Sequence, residues 1–390
     1  MSLIKIKTRF LVIFAILLWL PLFQQYSQFF RIQPHNENRN RVQVPTDFKS
    51  LIMGRQDFPS RFEAYYNDNY GFRDFLIRLK NQLNYSLFEK SDQVIIGKSS
   101  FLFYRRVVEN DEIQVERRID QELPKLLGKL HKLATILKKQ GAQLVILPMP
   151  LKNSIYPELL PRYAPHRPSP LAIQRFITEL KNQPEILVLD TYSQMMSLKS
   201  QIPVFHKTDF HWNDVAGSEV GKAFVNLLGM ELGLGQIWTH SVSVERNILS
   251  EGGQTVAMAI YKPIVEETLF ARVPPTRHSG TFTSTPNQAN TWRYTQPDLE
   301  RIRLIPATVM FGDSFADAFL RVGFLRYFKS FQKYYIKELK ENISHLQKDV
   351  KFVVMEFIET ELVTLFEDDY WPKEVRSAPP VASKVIGKDP

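Results

Sequence analysis

Apolar positions along the chain repeat in two alternating patterns, one typical of helices and the other typical of buried strands. Segments with apolar residues at helical spacing alternate with short continuous apolar runs. Such an alternation predicts a mostly parallel sheet with helices on both of its faces. The helical segments are residues 120–140, 170–182 and 214–228, and the apolar runs are residues 142–150, 186–190 and 351–357.

Other patterns precede and interrupt this alternation. Helical periodicity covers residues 58–88, and two short apolar runs around residues 97–100 predict a β-hairpin. Residues 31–45 are polar and poor in helix formers, which predicts a linker. Residues 272–298 show no sustained periodicity, and a loop this long inside a domain is usually a lid, a binding loop or an insertion.

The N-terminus carries three basic residues, Lys5, Lys7 and Arg9, before an uncharged apolar run over residues 10–23. The run is slightly short for a full membrane span unless residues 3–6 contribute. Bulky residues follow it where a cleavage site would need small ones, so the pattern favours an uncleaved signal anchor over a signal peptide or a core helix. The basic end would then be cytoplasmic and the remaining chain extracytoplasmic.

The amino-acid composition limits the kinds of site and partner that the chain can have. The 390 residues include no cysteine, which excludes disulfides, thiolate metal sites and a cysteine nucleophile. The net charge of +9 is spread along mixed-sign helices, and the sequence contains no RNP, zinc-finger or helix-turn-helix pattern. The excess charge therefore fits an acidic surface or substrate, and no nucleic-acid partner is expected.

One apolar run leads directly into a candidate nucleophile. The stretch "TVMFGDSFADAF" places Ser314 between a strand and a helix, where open α/β sheets bind their ligands. Gly312 would permit a tight turn and close approach of substrate. A plain helix cap by Asp313 and Ser314 explains the motif equally well when it stands alone.

A candidate base lies about a hundred residues earlier, in "HKTDFHWND". Asp209 would orient the His211 ring and stabilise its charged form, as a carboxylate does for a catalytic histidine. With Ser314 these residues would supply nucleophile, base and orienting group. His211 would deprotonate the Ser314 hydroxyl, which would attack an ester carbonyl and form an acyl-serine.

The alternative use of this stretch is a metal site formed by His206, Asp209, His211 and Asp214. The spacing matches no metal signature, so we expect neither a metal nor a cofactor. His206 and Asp214 are then predicted to be structural or capping residues. Trp212 is a candidate substrate contact but more typical of a packing residue.

Further candidates follow from position. Lys152 and Asn153 come directly after the strand predicted over residues 142–150, so with Gly312 and Asp313 they could line the oxyanion hole or contact substrate. Ordinary exposed loop residues are the alternative. Trp292, Arg293 and Tyr294 in the long loop could stack on sugar rings, or they could pack the loop against the core.

The two motifs carry a resemblance to a known family. "TDFHWN" with Gly217, and "FGDSF", resemble the Asp-x-His-Trp and Gly-Asp-Ser-Phe motifs of the SGNH-hydrolase-like domain in the alginate O-acetyltransferase family. "YYNDNYGFRDFLIRLKNQLNYSLF", "VIIGKSSFLFY" and "VILPMPLKNSIYPELLP" extend the similarity over most of the chain. Two departures are the stretch "SEGGQTVAMAI", which lacks an expected Gly-Asp pair, and the absence of an alignable carbohydrate-binding module after Phe357.

The resemblance implies a three-layer αβα fold and an extracytoplasmic O-acetyltransferase with Ser314, His211 and Asp209 as its triad. An acetyl group would arrive from a membrane-bound O-acyltransferase and pass to a hydroxyl of an exopolysaccharide or cell-surface glycan. An acetyl esterase and a non-catalytic glycan-binding assembly protein remain alternatives. The expected organisation is a signal anchor (1–30), a polar linker (31–47), a catalytic domain (48–372) containing the loop 272–298, and a tail (373–390).

Overall fold

The chain divides into two compact units. A computed structural model describes residues 3–31, 40–46, 57–274, 280–284, 291–296 and 304–381. The N-terminal unit comprises Met1–Val94 and Gly253–Ile264, and the sheet unit comprises Ile95–Gly252 and Val265–Pro390. This division differs from the predicted domain boundaries, because the domain expected over residues 48–372 extends across both units.

Helices occupy most of the segments where helical spacing predicts them. The periodicity over residues 58–88 corresponds to two helices separated at residues 70–72. The α-helices are α1 (Leu3–Ser27), α2 (Asp57–Asn69), α3 (Arg73–Phe88), α4 (Glu112–Lys139), α5 (Lys152–Ile155), α6 (Ala172–Leu180), α7 (Thr191–Lys199), α8 (Asp214–Glu231), α9 (Gly253–Met258), α10 (Asp317–Arg321), α11 (Leu339–Asn342), α12 (Leu362–Phe366) and α13 (Lys373–Arg376). A short π-helix covers Val107–Asp111. The 3₁₀ turns are Lys98–Ser100, Pro157–Leu159, Ser314–Ala316, Phe324–Tyr327, Ile336–Glu338, Ile343–His345, Glu359–Glu361 and Asp368–Tyr370.

The predicted parallel sheet is present in the sheet unit. Its strand order is β4-β3-β11-β9-β10-β8-β7, and the first five strands are parallel. Strands β1 and β2 form the predicted hairpin, and β5 pairs antiparallel with β6 in a separate two-stranded sheet. The strands are β1 (Val94–Ile96), β2 (Leu102–Tyr104), β3 (Gln143–Met149), β4 (Ile186–Val188), β5 (Ser243–Leu249), β6 (Glu266–Arg272), β7 (Thr281–Ser284), β8 (Trp292–Thr295), β9 (Thr308–Gly312), β10 (Ser330–Tyr335) and β11 (Phe352–Ile358).

Alternate side chains of the central strands enter two separate cores. In β3, Val145 and Leu147 join a cluster that includes Phe224 of α8, whereas Leu144 and Ile146 join a cluster formed largely by α4 and α6. A side-chain period of two places successive residues on opposite faces of a sheet. Both faces of the sheet are therefore covered by helices, in the three layers that the sequence predicts.

The prediction of a long loop over residues 272–298 is partly wrong. Strand β8 pairs antiparallel with β10, and β7 pairs antiparallel with β8, so this segment extends the sheet at one edge. Strand β10 is absent from the sequence predictions, because "SFQKYY" mixes polar and aromatic residues without a continuous apolar run.

The termini are described in part. Within α1, Lys7–Ser27 is long and apolar enough to cross a membrane, judged by length and composition. Of the predicted linker, residues 31–47, only residues 31 and 40–46 are among the described residues. The first part of the predicted tail packs on the sheet unit, since Val375 is buried and the Val381 N–H donates to the Pro124 carbonyl at 2.9 Å.

The core beside α8 allows a direct test of this packing. Phe319 is fully buried, with ring centroids of Trp212, Phe224 and Phe324 within 5.4–6.1 Å. We expect Phe319→Ala to lower the free energy of unfolding by about 3–5 kcal/mol, because it removes a large buried side chain and leaves a cavity. Urea denaturation followed by tryptophan fluorescence measures the change. Tyr163→Ala, at an exposed position, should change it by less than about 0.5 kcal/mol, and equal losses would contradict the assigned core.

Candidate active site

Ser314 lies at the carboxyl edge of the sheet, exposed to solvent. Strand β9 ends at Gly312, Asp313 follows, and Ser314 begins a 3₁₀ turn that leads into α10. Asp313 caps this turn, since its Oδ1 accepts a hydrogen bond from the Phe315 N–H at 2.8 Å. The motif therefore combines both sequence interpretations, because the aspartate caps the turn and the serine remains open to solvent.

His211 connects Ser314 to Asp209. Its Nε2 lies 2.9 Å from the Ser314 Oγ, and its Nδ1 lies 2.8 Å from the Asp209 Oδ1. The same Asp209 oxygen accepts the His211 backbone N–H at 2.8 Å, which holds the carboxylate beside the ring. The structure thus brings together the three residues proposed as a triad, with hydrogen-bond contacts on both sides of the imidazole.

The loop that carries Asp209 is held by Lys152, at the start of α5. The buried Lys152 Nζ donates to the backbone carbonyls of His206, Lys207 and Asp209, at 3.0, 3.0 and 2.7 Å. Burial lowers the pKa of Lys152 to about 7, although the carboxylates of Asp209 and Glu266 oppose this shift. The ammonium group therefore fixes the backbone on which the aspartate stands.

Glu266 of β6 holds the same loop from another side. Its carboxylate accepts the backbone N–H groups of Lys207 and Thr208 at 2.7 and 3.0 Å, and the Thr208 hydroxyl at 2.9 Å. Carbonyls and N–H groups of one short loop are thus bound by opposite charges. Such charge-assisted hydrogen bonds are stronger than neutral ones, so the loop is fixed at several points.

The turn that carries Ser314 rests on a buried cluster of charged residues. The Glu356 Oε2 accepts the Asp313 N–H at 2.9 Å, and the Asp313 Oδ2 accepts the Ile358 N–H at 2.8 Å. The Lys333 Nζ, fully buried, donates to the Asp313 carbonyl at 2.6 Å and to the Asp317 Oδ1 at 2.7 Å. Each of these contacts involves Asp313, which directly precedes the serine, or Asp317, three residues after it.

Gly312 is needed for a different reason from the predicted one. A Cβ added at Gly312 would lie 2.7 Å from the Glu356 Oε2, and the backbone there has no positive φ. The glycine therefore makes room for Glu356 beneath the turn. It is not required by a tight turn of the chain itself.

The acids in this cluster are shifted toward their neutral forms. Burial raises the pKa of Glu356 well above its ordinary value, and the neighbouring Asp313 carboxylate raises it further. Burial also raises the pKa of Asp313, although two backbone N–H groups and Lys333 oppose the shift. Two buried carboxyl groups near one ammonium group are less costly when a proton remains on one of them.

Three residues predicted to contact substrate or line the oxyanion hole are instead occupied by internal contacts. The Lys152 ammonium group faces the loop carbonyls, and the Asn153 Nδ2 donates to the buried Glu112 Oε2. Trp212 is buried, with its Nε1 donating to the Phe315 carbonyl at 3.0 Å. These contacts correct the prediction, because the three side chains position the site from within.

The predicted glycan contacts lie elsewhere. Trp292 and Tyr294 are buried in β8, and the Trp292 ring stacks on Phe331 at 5.6 Å. Arg293 is exposed, but it lines a small cavity with Thr308 at the amino end of β9. Ser314 follows the carboxyl end of that strand, so this trio is not brought together with the triad.

The four residues considered for a metal have separate partners. The His206 Nδ1 lies 2.9 Å from the Thr268 Oγ1, and the Asp214 Oδ1 accepts from the Arg321 Nε at 2.6 Å. Burial lowers the pKa of His206. Among the described residues, no group of three or more histidine, aspartate or glutamate side chains is placed to hold a metal ion.

Sequence reasoning missed Glu266, Lys333, Glu356 and Tyr104. Burial, followed by the Asp209 carboxylate, raises the pKa of Tyr104 to about 12, and its ring packs on Phe210. A signal was present for Glu356, because a carboxylate inside the apolar run "KFVVMEF" requires a buried partner. Lys333 in "SFQKYY" and Glu266 in "VEETLF" carry no comparable signal.

Comparison with known proteins gives a family match over most of the sheet unit. Residues 94–326 match the family described as "SGNH hydrolase-like domain, acetyltransferase AlgX". The match confirms the SGNH-like α/β fold that the motifs predict.

Two relatives are named "Probable alginate O-acetylase AlgJ". The protein of Pseudomonas syringae pv. tomato is 25% identical over 174 residues, which cover 43% of this chain and 43% of that protein. The protein of Pseudomonas aeruginosa is 26% identical over 166 residues, covering 41% and 40% of the two chains. The match thus spans about two fifths of the length of each relative.

Solved structures with similar folds include the O-acetyltransferase domain of Pseudomonas putida AlgJ and Bacillus cereus PatB1. The first is 18% identical with a TM-score of 0.44, covering 69% of this chain and 92% of that chain. The second is 15% identical with a TM-score of 0.45, covering 65% and 93%.

The cluster beneath the serine predicts different effects for two changes at one position. Glu356→Gln keeps an oxygen acceptor for the Asp313 N–H and replaces a carboxyl group that burial holds toward its neutral form. It should change the free energy of unfolding by less than about 1 kcal/mol, whereas Glu356→Leu strands that N–H and should cost about 1–3 kcal/mol. Urea denaturation of both variants measures the difference. Equal damage from glutamine and leucine would show that the negative charge itself is required.

Lys152 predicts a pH dependence of stability. Its pKa is about 7 in the folded chain and near 10.5 in the unfolded chain, so the unfolded state binds more protons between these values. The free energy of unfolding contributed by this residue should therefore rise as the pH increases from 7 to 10. Comparison of the parent with Lys152→Met at pH 6.5 and pH 9 isolates the effect. The assignment would be contradicted if the stability of the parent relative to the variant fell between pH 6.5 and pH 9.

Proposed function

Because the chain belongs to the SGNH hydrolase-like acetyltransferase family, we propose that it is a serine-dependent O-acetyltransferase acting on a polysaccharide. The hydrogen-bond chain from Ser314 through His211 to Asp209 is the observation that carries the proposal. A neutral imidazole between a hydroxyl group and a carboxylate can accept the serine proton while the carboxylate stabilises the resulting cation.

The reaction would proceed in two transfers. His211 takes the Ser314 proton through Nε2 as the Ser314 Oγ attacks the carbonyl carbon of an acetyl ester. The ester bond breaks, the leaving alcohol receives that proton, and Ser314 retains the acetyl group. A sugar hydroxyl then gives its proton to His211 and attacks the acetyl-serine, the bond between the acetyl carbon and the Ser314 Oγ breaks, and His211 returns the proton to that oxygen.

The oxyanion formed in each transfer needs hydrogen-bond donors beside Ser314. The Ser314 backbone N–H is one candidate, because it belongs to the nucleophile itself. Since Lys152 and Asn153 are engaged elsewhere, they are not proposed as donors.

The setting follows from α1 and from the relatives. A membrane-spanning α1 with Lys7 and Arg9 on the cytoplasmic side would hold the sheet unit outside the cytoplasm. The acceptor would be an exopolysaccharide or cell-surface glycan, in line with relatives named as alginate O-acetylases. A membrane-bound O-acyltransferase would supply the acetyl group.

Incubation with an activated acetyl ester and candidate oligosaccharides tests the proposal. We expect mass spectrometry to detect an added acetyl group on Ser314 and, with the correct acceptor, an acetylated sugar. Asp209→Asn should reduce turnover by about 10⁴-fold, because the imidazole loses its stabilising carboxylate and its correct tautomer.

Two controls separate the outcomes. Ser314→Ala should abolish acetylation of the protein and of the sugar while leaving the fold intact, and activity equal to the parent would overturn the mechanism. Release of acetate without transfer to any glycan offered would favour an acetyl esterase. An intact fold with no turnover and retained glycan binding would favour an assembly protein.

A further inference from the structure

Helix α3 exposes four leucine side chains to solvent. Leu76, Leu79, Leu83 and Leu87 recur at intervals of three and four residues, so they form one stripe along the helix. All four are exposed, with Leu87 at 67% of its full accessible surface. We call these four residues the leucine stripe.

Three polar side chains of α3, Arg78, Asn81 and Gln82, contact the backbone of residues 258–262 in the same unit. The Arg78 Nη1 donates to the Ile260 carbonyl at 3.2 Å, and the Asn81 Nδ2 donates to the Met258 carbonyl at 3.0 Å. The Gln82 Oε1 accepts the Lys262 N–H at 2.9 Å. A surface helix normally buries its apolar face, so the exposed leucines of α3 depart from the usual arrangement.

This orientation is costly in water. Burial of a leucine side chain is worth about 1.5–3 kcal/mol, and four leucines on one helix face form a continuous apolar surface. Such surfaces mark contacts with another protein or with a membrane. The position of α3 within its own unit decides between these two.

The start of α3 packs against the end of α1. A Cβ added at Gly71 would overlap the Pro21 carbonyl and lie 2.7 Å from the Gln25 nitrogen. The Gln25 Nε2 also donates to the Tyr65 hydroxyl at 3.1 Å, and the Phe29 and Phe72 rings lie 6.4 Å apart. Only glycine permits this approach of the two helices.

The contact falls where α1 changes character. Its apolar run ends at Phe23, and Gln24 and Gln25 follow. In a membrane-spanning helix this change marks the boundary between hydrocarbon and headgroups. Gly71 meets α1 at that boundary, so α3 begins at the level where α1 leaves the membrane.

We propose that the leucine stripe lies in the headgroup region of the membrane that α1 spans. This inference rests on the membrane anchor of the proposed function and does not depend on its chemistry. From Leu76 to Leu87 the stripe is about 16 Å long, the scale of a short interfacial helix. Lys80 lies beside the stripe and is exposed, and its ammonium group pairs with the equally exposed Asp92 at 3.0 Å, so the proposed membrane contact depends on the leucines and not on charge.

The absence of cysteine from the chain makes the proposal directly testable. Three full-length variants would each carry one cysteine, as Leu83→Cys, Leu17→Cys or Asp120→Cys. Each cysteine would be labelled with an environment-sensitive fluorophore, and each protein reconstituted in phosphatidylcholine–phosphatidylglycerol vesicles. Iodide quenches probes in water, and lipids with a spin label near the headgroup quench probes in the membrane surface. Matched thermal unfolding confirms that each variant folds.

The expected pattern distinguishes three environments. The Leu83 probe should be quenched by the labelled lipid and be about threefold less sensitive to iodide than the Asp120 probe, as for a helix in the interface. Asp120 in the sheet unit has a side chain that is 63% exposed, so its probe should report water. The Leu17 probe should be shielded from iodide by the bilayer.

Results that differ from this pattern would overturn the inference or the membrane anchor on which it rests. A Leu83 probe as open to iodide as Asp120 overturns the inference, provided Leu17 remains shielded. Shielding of Leu83 from iodide without lipid quenching would mean that a second copy of the chain covers the stripe, which also overturns it. An iodide-sensitive Leu17 probe removes the anchor itself, and loss of acetyl transfer in Ser314→Ala is unaffected by any of these results.

Discussion

Two buried lysine side chains hold the backbone on either side of the proposed triad. Lys152 binds three carbonyls of the loop that carries Asp209, and Lys333 binds the Asp313 carbonyl next to Ser314. A buried cation is costly unless its hydrogen-bonding capacity is filled, so these lysines restrict the backbone to arrangements that supply enough acceptors. The contact of 2.9 Å between His211 and Ser314 joins two segments about a hundred residues apart, and both are held in this way.

The parallel sheet explains why these groups converge. Strands β3, β9 and β11 are neighbours and end at the same edge of the sheet. Lys152 follows the first strand, Ser314 follows the second, and Glu356 lies near the end of the third. Chain segments that are distant in sequence therefore deliver a lysine, a nucleophile and a carboxylate to one place, as the carboxyl ends of strands do in open α/β sheets.

Local patterns in the sequence predict the parts of the site that are themselves local. An apolar run ending in "GDS" and an Asp-x-His before a helix are short signals, and both predict residues that the fold brings together. The roles of Lys152 and Lys333 depend on carbonyls far away in the chain, so no spacing reveals them. Strands β7, β8 and β10 were missed for a related reason, since they lie toward one edge of the sheet and their stability comes from pairing. Periodicity predicted α3 as a helix, but it could not tell which face points outward.

Buried acids form two clusters near this edge of the sheet, each around one cation. Beneath Ser314, Asp313 and Glu356 accompany Lys333, and beside α5 the buried Glu112 and Glu359 share Arg167. In both clusters carboxyl groups outnumber the nearby cation, and burial raises the pKa of Glu356 and of Glu112 well above the ordinary value. Burial thus shifts these acids toward their protonated forms, which lowers the cost of placing several carboxyl groups beside one cation. A protonated carboxyl group can support the backbone by hydrogen bonds without placing a full charge beneath the serine, whereas the Asp209 carboxylate lies against the His211 ring, where it would stabilise an imidazolium.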